Sequence, residues 1–457
     1  MSSDYLDFDV AIVKEPTGYV ARVLESPVGT AEAPFVLPFE ASELAQFMIA
    51  VGPPRVASRR LMPVAARLPD VTDYGTRLGS ALLSGAVGDA FRASLAAIGD
   101  DNLRLRLRLD EAPDLEPVPW EYLYDTRLAR FITLSSETPI VRVVDAVERP
   151  PAVAVEPPLR ILVMISSPSD LPPLATDREE KLLRATTEDL ARRGRLELTV
   201  LRGSQATLSA LQLALLDPFH VFHFIGHGGF DSETEQGVLA LERPDGTAHR
   251  VSGGQLGTLL HDARLLQLAV LNACEGARSS GRNAFSGVAQ ALIHQGLPAV
   301  VAMQTAISDQ AALVFTHEFY AYLTKGLPID AAICETRKAM AVSDQAAEWG
   351  TAVLLRGGTA QPFTFPAESA GPDAQPQPEE RWSALYTGAQ DALATAVPDA
   401  ALPLLEQLAV EHPDYADVTQ LLERIRPHPA DVAVDPIPVP AAEPPRAPQP
   451  EPWPDPP

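Results

Sequence analysis

Two short segments of the chain end in side chains that can do chemistry. Phe222-His223-Phe224-Ile225-Gly226-His227-Gly228-Gly229 delivers a histidine followed by glycine, and Leu271-Asn272-Ala273-Cys274-Glu275-Gly276 delivers one of only two cysteines. A thiol and an imidazole at the ends of neighbouring buried strands are the parts of a cysteine nucleophile and its base. A free thiol, with a pKa near ~8.5, is only a few per cent thiolate at neutral pH. An adjacent imidazole stabilises the thiolate or takes its proton, and later supplies a proton to a leaving amine. Glycine after the histidine lets backbone approach a substrate closely. The N–H groups of Gly228 and Cys274 are candidates for an oxyanion hole. No third side chain offers itself to orient the imidazole, so the unit reads as a Cys-His dyad.

These groups need a frame. Short apolar runs at 160–165, 196–201, 220–225, 268–272, 299–303 and 351–355 alternate with helical patterns near 177–193, 206–215, 253–262, 284–295, 309–325 and 329–343. Near-continuous apolar strands alternating with helices predict an α/β fold, a mostly parallel six-stranded sheet with helices on both faces. Such sheets carry their sites beyond the carboxyl ends of the strands, and His227 and Cys274 follow two of these ends. A small hairpin around Pro244-Asp245-Gly246 is expected after the histidine strand.

The remaining reactive residues have plainer readings. Cys334, in an apolar helical stretch, reads as a small buried hydrophobe. His223 reads as a core histidine and His220 points to the opposite face, so the three histidines do not converge on a metal. The loop Gly276–Gly281 has the glycine spacing of a phosphate-binding loop, but Arg282 and Asn283 stand where its Lys and Ser/Thr belong, so nucleotide binding is not expected. No metal or organic cofactor is implied.

Before the sheet pattern, residues 1–147 read as a smaller α+β domain of unknown role. It opens on a hairpin turning at Pro16-Thr17-Gly18 and includes Leu103-Arg104-Leu105-Arg106-Leu107-Arg108-Leu109, whose strict alternation predicts a half-buried strand with a solvated arginine face, the three arginines of this acidic chain being neutralised internally rather than by an acidic partner. A Pro-rich linker at 148–158 leads to the α/β domain at 159–366. A second linker (367–379), a short helical segment (380–426) resembling a tetratricopeptide unit and a Pro-rich tail (427–457) expected to be disordered complete the organisation.

Charge and hydropathy exclude other classes. With 36 Lys+Arg against 60 Asp+Glu the net charge is −24. That balance argues against nucleic acid and anionic membranes and favours a cationic partner or substrate. No apolar run is long enough to span a bilayer, no signal peptide is read, and the sparse cysteines fit a reducing compartment. The expected location is the cytoplasm.

An apolar block ending in His-Gly followed by one ending in Ala-Cys resembles the signature of the caspase-like cysteine peptidases, the clan of separase, legumain, clostripain and gingipain. The segments Phe222–Gly228 and Leu271–Gly276, with Thr305-Ala306-Ile307-Ser308-Asp309-Gln310-Ala311-Ala312, are most similar to the CHAT domain of bacterial and separase-related proteins. The resemblance covers roughly 159–366. It implies a cysteine endopeptidase acting on a protein or peptide substrate, with His227 as base and Cys274 as nucleophile. It further implies that Asp309 is the substrate-binding carboxylate, selecting Arg or Lys at the cleavage site. Read from the residues alone, Ser308-Asp309 is also a good helix cap. The alternative is a catalytically weak or inactive CHAT domain that acts as a protein-interaction or regulatory module. A regulatory protein partner would then bind through the amino-terminal segment or the carboxyl-terminal helices.

Overall fold

The computed structural model describes residues 5–52, 70–146, 151–174, 176–231, 233–234, 236–273, 284–305, 307–343, 347–358 and 360–365, together with Tyr386, Leu405, Leu408, Ala409, His412 and 418–425. Two compact units are present, Met1–Ala367 and Glu368–Pro457. The first unit opens with β1 (Tyr5–Glu15), β2 (Gly18–Glu25), β3 (Ala31–Phe35), α1 (Ala41–Ala50), α2 (Val71–Leu82), α3 (Gly85–Ala97) and β4 (Asn102–Arg108). The short strands β5 (Tyr124–Asp125) and β6 (Arg130–Phe131) lead to β7 (Ile140–Val143) and β8 (Val153–Ala154). Next come β9 (Leu159–Ile165), α4 (Thr176–Arg192), β10 (Leu196–Arg202), α5 (Leu208–Ala214), β11 (Val221–Gly226), β12 (Gly228–Asp231), β13 (Gln236–Glu242) and β14 (Ala248–Ser252). The unit closes with α6 (Gly253–Leu260), β15 (Leu268–Ala273), α7 (Ala284–His294), β16 (Ala299–Met303), α8 (Asp309–Thr324), α9 (Ile329–Ala341), β17 (Ala352–Arg356) and β18 (Phe363–Thr364).

The six strands expected from the apolar runs are all present and adjacent, in the order β10-β9-β11-β15-β16-β17. The sheet does not stop there. Five strands of the amino-terminal segment continue it as β7-β4-β1-β2-β3, giving eleven strands where six were expected. The physical reason lies at β17, which runs antiparallel to β16 and leaves a hydrogen-bonding edge. β7 takes that edge in parallel, Arg142 opposite Leu355 and Val143 opposite Arg356, so an otherwise unpaired row of backbone groups is satisfied.

Side chains alternate across the sheet, and the central strands β11, β15 and β16 are buried on both faces. On one face Val221, Ile225, Leu268, Val270, Val301 and Met303 pack with Phe315 and Phe319 of α8 and Ile333 of α9. On the other, Phe222, Phe224, Ala269, Leu271 and Val300 pack with Leu256 of α6 and Val288 and Leu292 of α7. Burial on both faces is why these strands are apolar throughout.

The arginine face of β4 is not solvated. Arg104 and Arg106 are buried, because β1 lies alongside in parallel and sets Asp7 against Arg104 and Asp9 against Arg106. Arg104 Nε donates to Asp7 at 2.7 Å, and Arg108 Nε donates to Asp9 at 2.8 Å. The network extends to Asp330, in the first turn of α9 and fully buried. Its carboxylate accepts from Arg104 at 3.3 Å, from Arg356 at 2.9 and 2.7 Å and from Gln361 at 2.6 Å. Burial opposes ionisation of Asp330, but Arg356 and Arg104 outweigh it and hold the carboxyl below its usual range. One carboxylate thus ties α9 to β4 and β17, across the seam between the six expected strands and the five added ones.

The second unit is described at α10 (Val418–Ile425) and a few further residues, with Leu405, Leu408, Val418, Leu421 and Leu422 buried. The linker at 367–379 and the Pro-rich tail at 427–457 lie outside the described residues. Among the described residues no helix is long and apolar enough to cross a membrane.

Candidate active site

His227 stands between β11 and β12, beyond the carboxyl end of a fully buried strand. The preceding glycine is there for space, since a Cβ on Gly226 would lie 2.6 Å from the Phe224 ring and 3.1 Å from the Ser166 carbonyl. The His227 ring is 4% exposed, and its Nε2 donates to the Pro172 carbonyl at 2.8 Å. A carbonyl can only accept, so the neutral ring carries its proton on Nε2 and keeps the lone pair on Nδ1. The orienting partner missing from the sequence reading is therefore a backbone oxygen in the loop after β9.

That loop is fixed to the small three-stranded sheet β12-β13-β14. Ser166 Oγ donates to Ala240 O at 2.7 Å, Ser167 N to the buried Glu242 carboxylate at 3.0 Å, and Ala248 N to Asp170 at 2.7 Å. The expected hairpin, now β13 and β14, thus supports the histidine loop. β12 went unread because Gly228-Gly229 carries no strand signal.

Gly228 lies opposite Leu239, and Ala240 N donates to the His227 carbonyl at 2.9 Å. That bond makes Gly228 and Leu239 a non-hydrogen-bonded pair, which turns the Gly228 N–H away from β13.

Cys274 lies outside the described residues. The strand that leads to it is described. β15 pairs with β11 in parallel, and its last residue, Ala273, lies opposite Gly226, the last residue of β11. The next residues in the sequence after these two strands are Cys274 and His227.

Cys334, His220 and His223 hold structural places. Cys334 is fully buried on α9, and burial pushes its thiol up to about 12. His220 Nδ1 accepts the Arg160 N–H at 3.0 Å. His223 is a core residue, its Nδ1 3.0 Å from the hydroxyl of Tyr320 on α8. Burial lowers its pKa from 6.5 to about 4. Between these values the unfolded chain binds a proton that the folded one refuses, so stability falls as pH drops from 6.5 to about 4. A depression of this size is worth on the order of 3 kcal/mol. His223→Gln should flatten that part of the pH dependence of the denaturation midpoint. An unaltered slope would assign it to other groups.

Asp309 is the first residue of α8, and its side chain lies outside the described residues. Ser308 is the N-cap, with its Oγ accepting the Ala311 N–H at 3.2 Å, so the capping expectation holds for the serine. Upstream, Gln304 is buried. Its side chain donates to Pro117 O at 2.7 Å and accepts from Arg142 at 3.2 Å. Arg142 in turn is paired with buried Glu121 through Nε at 3.1 Å and Nη2 at 2.6 Å. The amino-terminal segment therefore braces the loop that leads into α8.

A family model described as the CHAT domain matches residues 72–390, more than half of the chain. The chain belongs to the CHAT domain family. The match begins inside the amino-terminal segment, whose strands β4 and β7 share the sheet of the CHAT site strands. No curated protein matches the chain. Among solved structures, the Arg-specific cysteine proteinase gingipain R is similar at 11% identity and a TM-score of 0.42, over 79% of this chain and 78% of that one. Separase of Saccharomyces cerevisiae, solved with securin, is similar at 14% identity and a TM-score of 0.35, over 73% of this chain and 23% of that one. The Drosophila initiator caspase Dronc is similar at 12% identity and a TM-score of 0.29, over 50% of this chain and 96% of that one.

Proposed function

We propose that this CHAT domain is a cysteine endopeptidase that cleaves a protein or peptide substrate after arginine or lysine, with Cys274 as nucleophile and His227 as base. The observation that carries this reading is the register of Gly226 opposite Ala273. It ends the two site strands level with each other, immediately before the histidine and the cysteine. The Nε2–H bond to Pro172 supports it further by leaving Nδ1 as the free base.

In this reading His227 Nδ1 takes the thiol proton as Cys274 Sγ attacks the scissile carbonyl carbon. The oxyanion is held by the N–H groups of Gly228 and Cys274, and the outward turn of the Gly228 N–H favours that role. The imidazolium then gives its proton to the leaving amine as the C–N bond breaks, leaving a thioester. Water, deprotonated by His227, hydrolyses the thioester and restores the thiol. The Asp309 carboxylate pairs with the substrate guanidinium or ammonium through a charge-assisted bond, consistent with a chain that carries a charge of −24. A regulatory protein partner would dock on the amino-terminal segment or the carboxyl-terminal helices.

An Arg-directed acyloxymethyl ketone tests the assignment. Wild-type protein should be labelled at Cys274, and Cys274→Ala and His227→Ala should not be labelled. Label persisting in Cys274→Ala would refute the nucleophile, and unlabelled wild type would favour an interaction module over an enzyme.

A further inference from the structure

The amino-terminal cap of α8 is completed from outside the helix. In a capping box the residue at the third helical position accepts the N-cap's own N–H, in return for the bond its backbone gives to the N-cap side chain. α6 is built this way, with Ser252 and Gln255 exchanging both bonds. α8 cannot be, because its third residue is Ala311, fully buried in the core, where a longer acidic side chain has no room. The acceptor comes from forty residues further along the chain, where Glu348 Oε2 takes the Ser308 N–H at 2.7 Å. A carboxylate makes the stronger, charge-assisted form of this bond, and its charge suits a helix N-terminus.

Glu348 is itself held by the amino-terminal segment. It opens the tight turn Glu348–Thr351 and is buried. Next to it, Trp349 packs on Tyr122, ring centroids 4.6 Å apart, and on Phe131 at 5.0 Å. The Tyr122 hydroxyl donates to Ala347 O at 2.6 Å. The end of the turn holds the other end of the same loop, as Gln304 N donates to Thr351 O at 2.8 Å. Gln304 and Ser308 are thus both anchored to this turn, and the aromatic residues of the amino-terminal segment anchor the turn.

We propose that Glu348 is a positioning residue for substrate selection, fixing from this braced turn the first turn of α8, on which Asp309 sits. The proposal rests on the reading of Asp309 as the substrate carboxylate. It gives the amino-terminal segment a role, that of setting the geometry of the selectivity site.

The test uses the full chain. Glu348→Met fills the same volume without an acceptor, Glu348→Gln keeps an acceptor without the charge, and Asp309→Asn controls for the pocket. Two matched peptide reporters carry Arg or neutral citrulline before the scissile bond, and amide hydrogen exchange is read over 308–312. Loss of a hydrogen bond to a charged group predicts that Glu348→Met loses about 10-fold or more in Arg-over-citrulline selectivity, chiefly through KM. Exchange at Ser308 should rise by a similar factor of about 10, while Glu348→Gln stays within about 3-fold of wild type, because an amide still accepts. Alkylation of Cys274 by iodoacetamide, which reads the thiolate and not the pocket, should be unchanged. Wild-type selectivity and exchange in Glu348→Met overturn the proposal. If Asp309→Asn also keeps full selectivity, the reading of Asp309 has failed, and exchange at Ser308 still decides whether Glu348 holds the turn.

Discussion

Turnover of an Arg-containing peptide should fall by about 10²–10⁴-fold in His227→Ala, the range expected when a positioned general base is removed. The size follows from two separate tasks. In the proposed first half-reaction the ring accepts the thiol proton and passes it to the amine. In the second it must take a proton from water. Pro172 sets the tautomer and orientation for both, because its carbonyl accepts only from a protonated Nε2. The substitution removes one side-chain bond to a backbone oxygen and no large apolar surface, so the denaturation midpoint should move little. A loss of activity that tracked a loss of fold would point to a structural histidine. Full activity in His227→Ala would remove the base from the proposal altogether.

Asp330→Ala should lower unfolding stability by about 3–5 kcal/mol, the cost of breaking a buried ion pair by removing one partner. The carboxylate is shared by Arg104 and Arg356, both buried. Its loss takes from Arg356 the carboxylate that accepts from it at 2.9 and 2.7 Å, while Arg104 keeps Asp7. Asp330→Asn retains hydrogen bonding without the charge and should fall between wild type and alanine. Chemical denaturation followed by circular dichroism reads the difference. A midpoint unchanged in Asp330→Ala would mean that the arginines are satisfied without it.

How much of this was legible depended on how local the signal was. The six site strands and the helices between them were readable, because burial on both faces forces continuous apolar runs and each helix carries its own period. His227 was legible as a polar residue ending such a run. The eleven-stranded sheet was not, since the β7–β17 pairing joins segments far apart in the chain and no local pattern names a strand's neighbour. Arg104 read as solvated because alternation shows which residues share a face but not what covers it, and Asp330 lies 226 residues away. Pro172 acts through its carbonyl, a group every residue has. Glu348 was invisible for the opposite reason, since Ala311 shows only that α8 lacks half of its own cap.

The continuity of the sheet also sets an order of assembly. On a ribosome, Ile140–Val143 is finished long before its neighbour Ala352–Arg356 exists, and Ser308 emerges forty residues ahead of Glu348. The first turn of α8 therefore gains its last support only when nearly all of the first unit has been synthesised. The end of α8 that carries Asp309 is therefore among the last parts of the unit to be fixed in place.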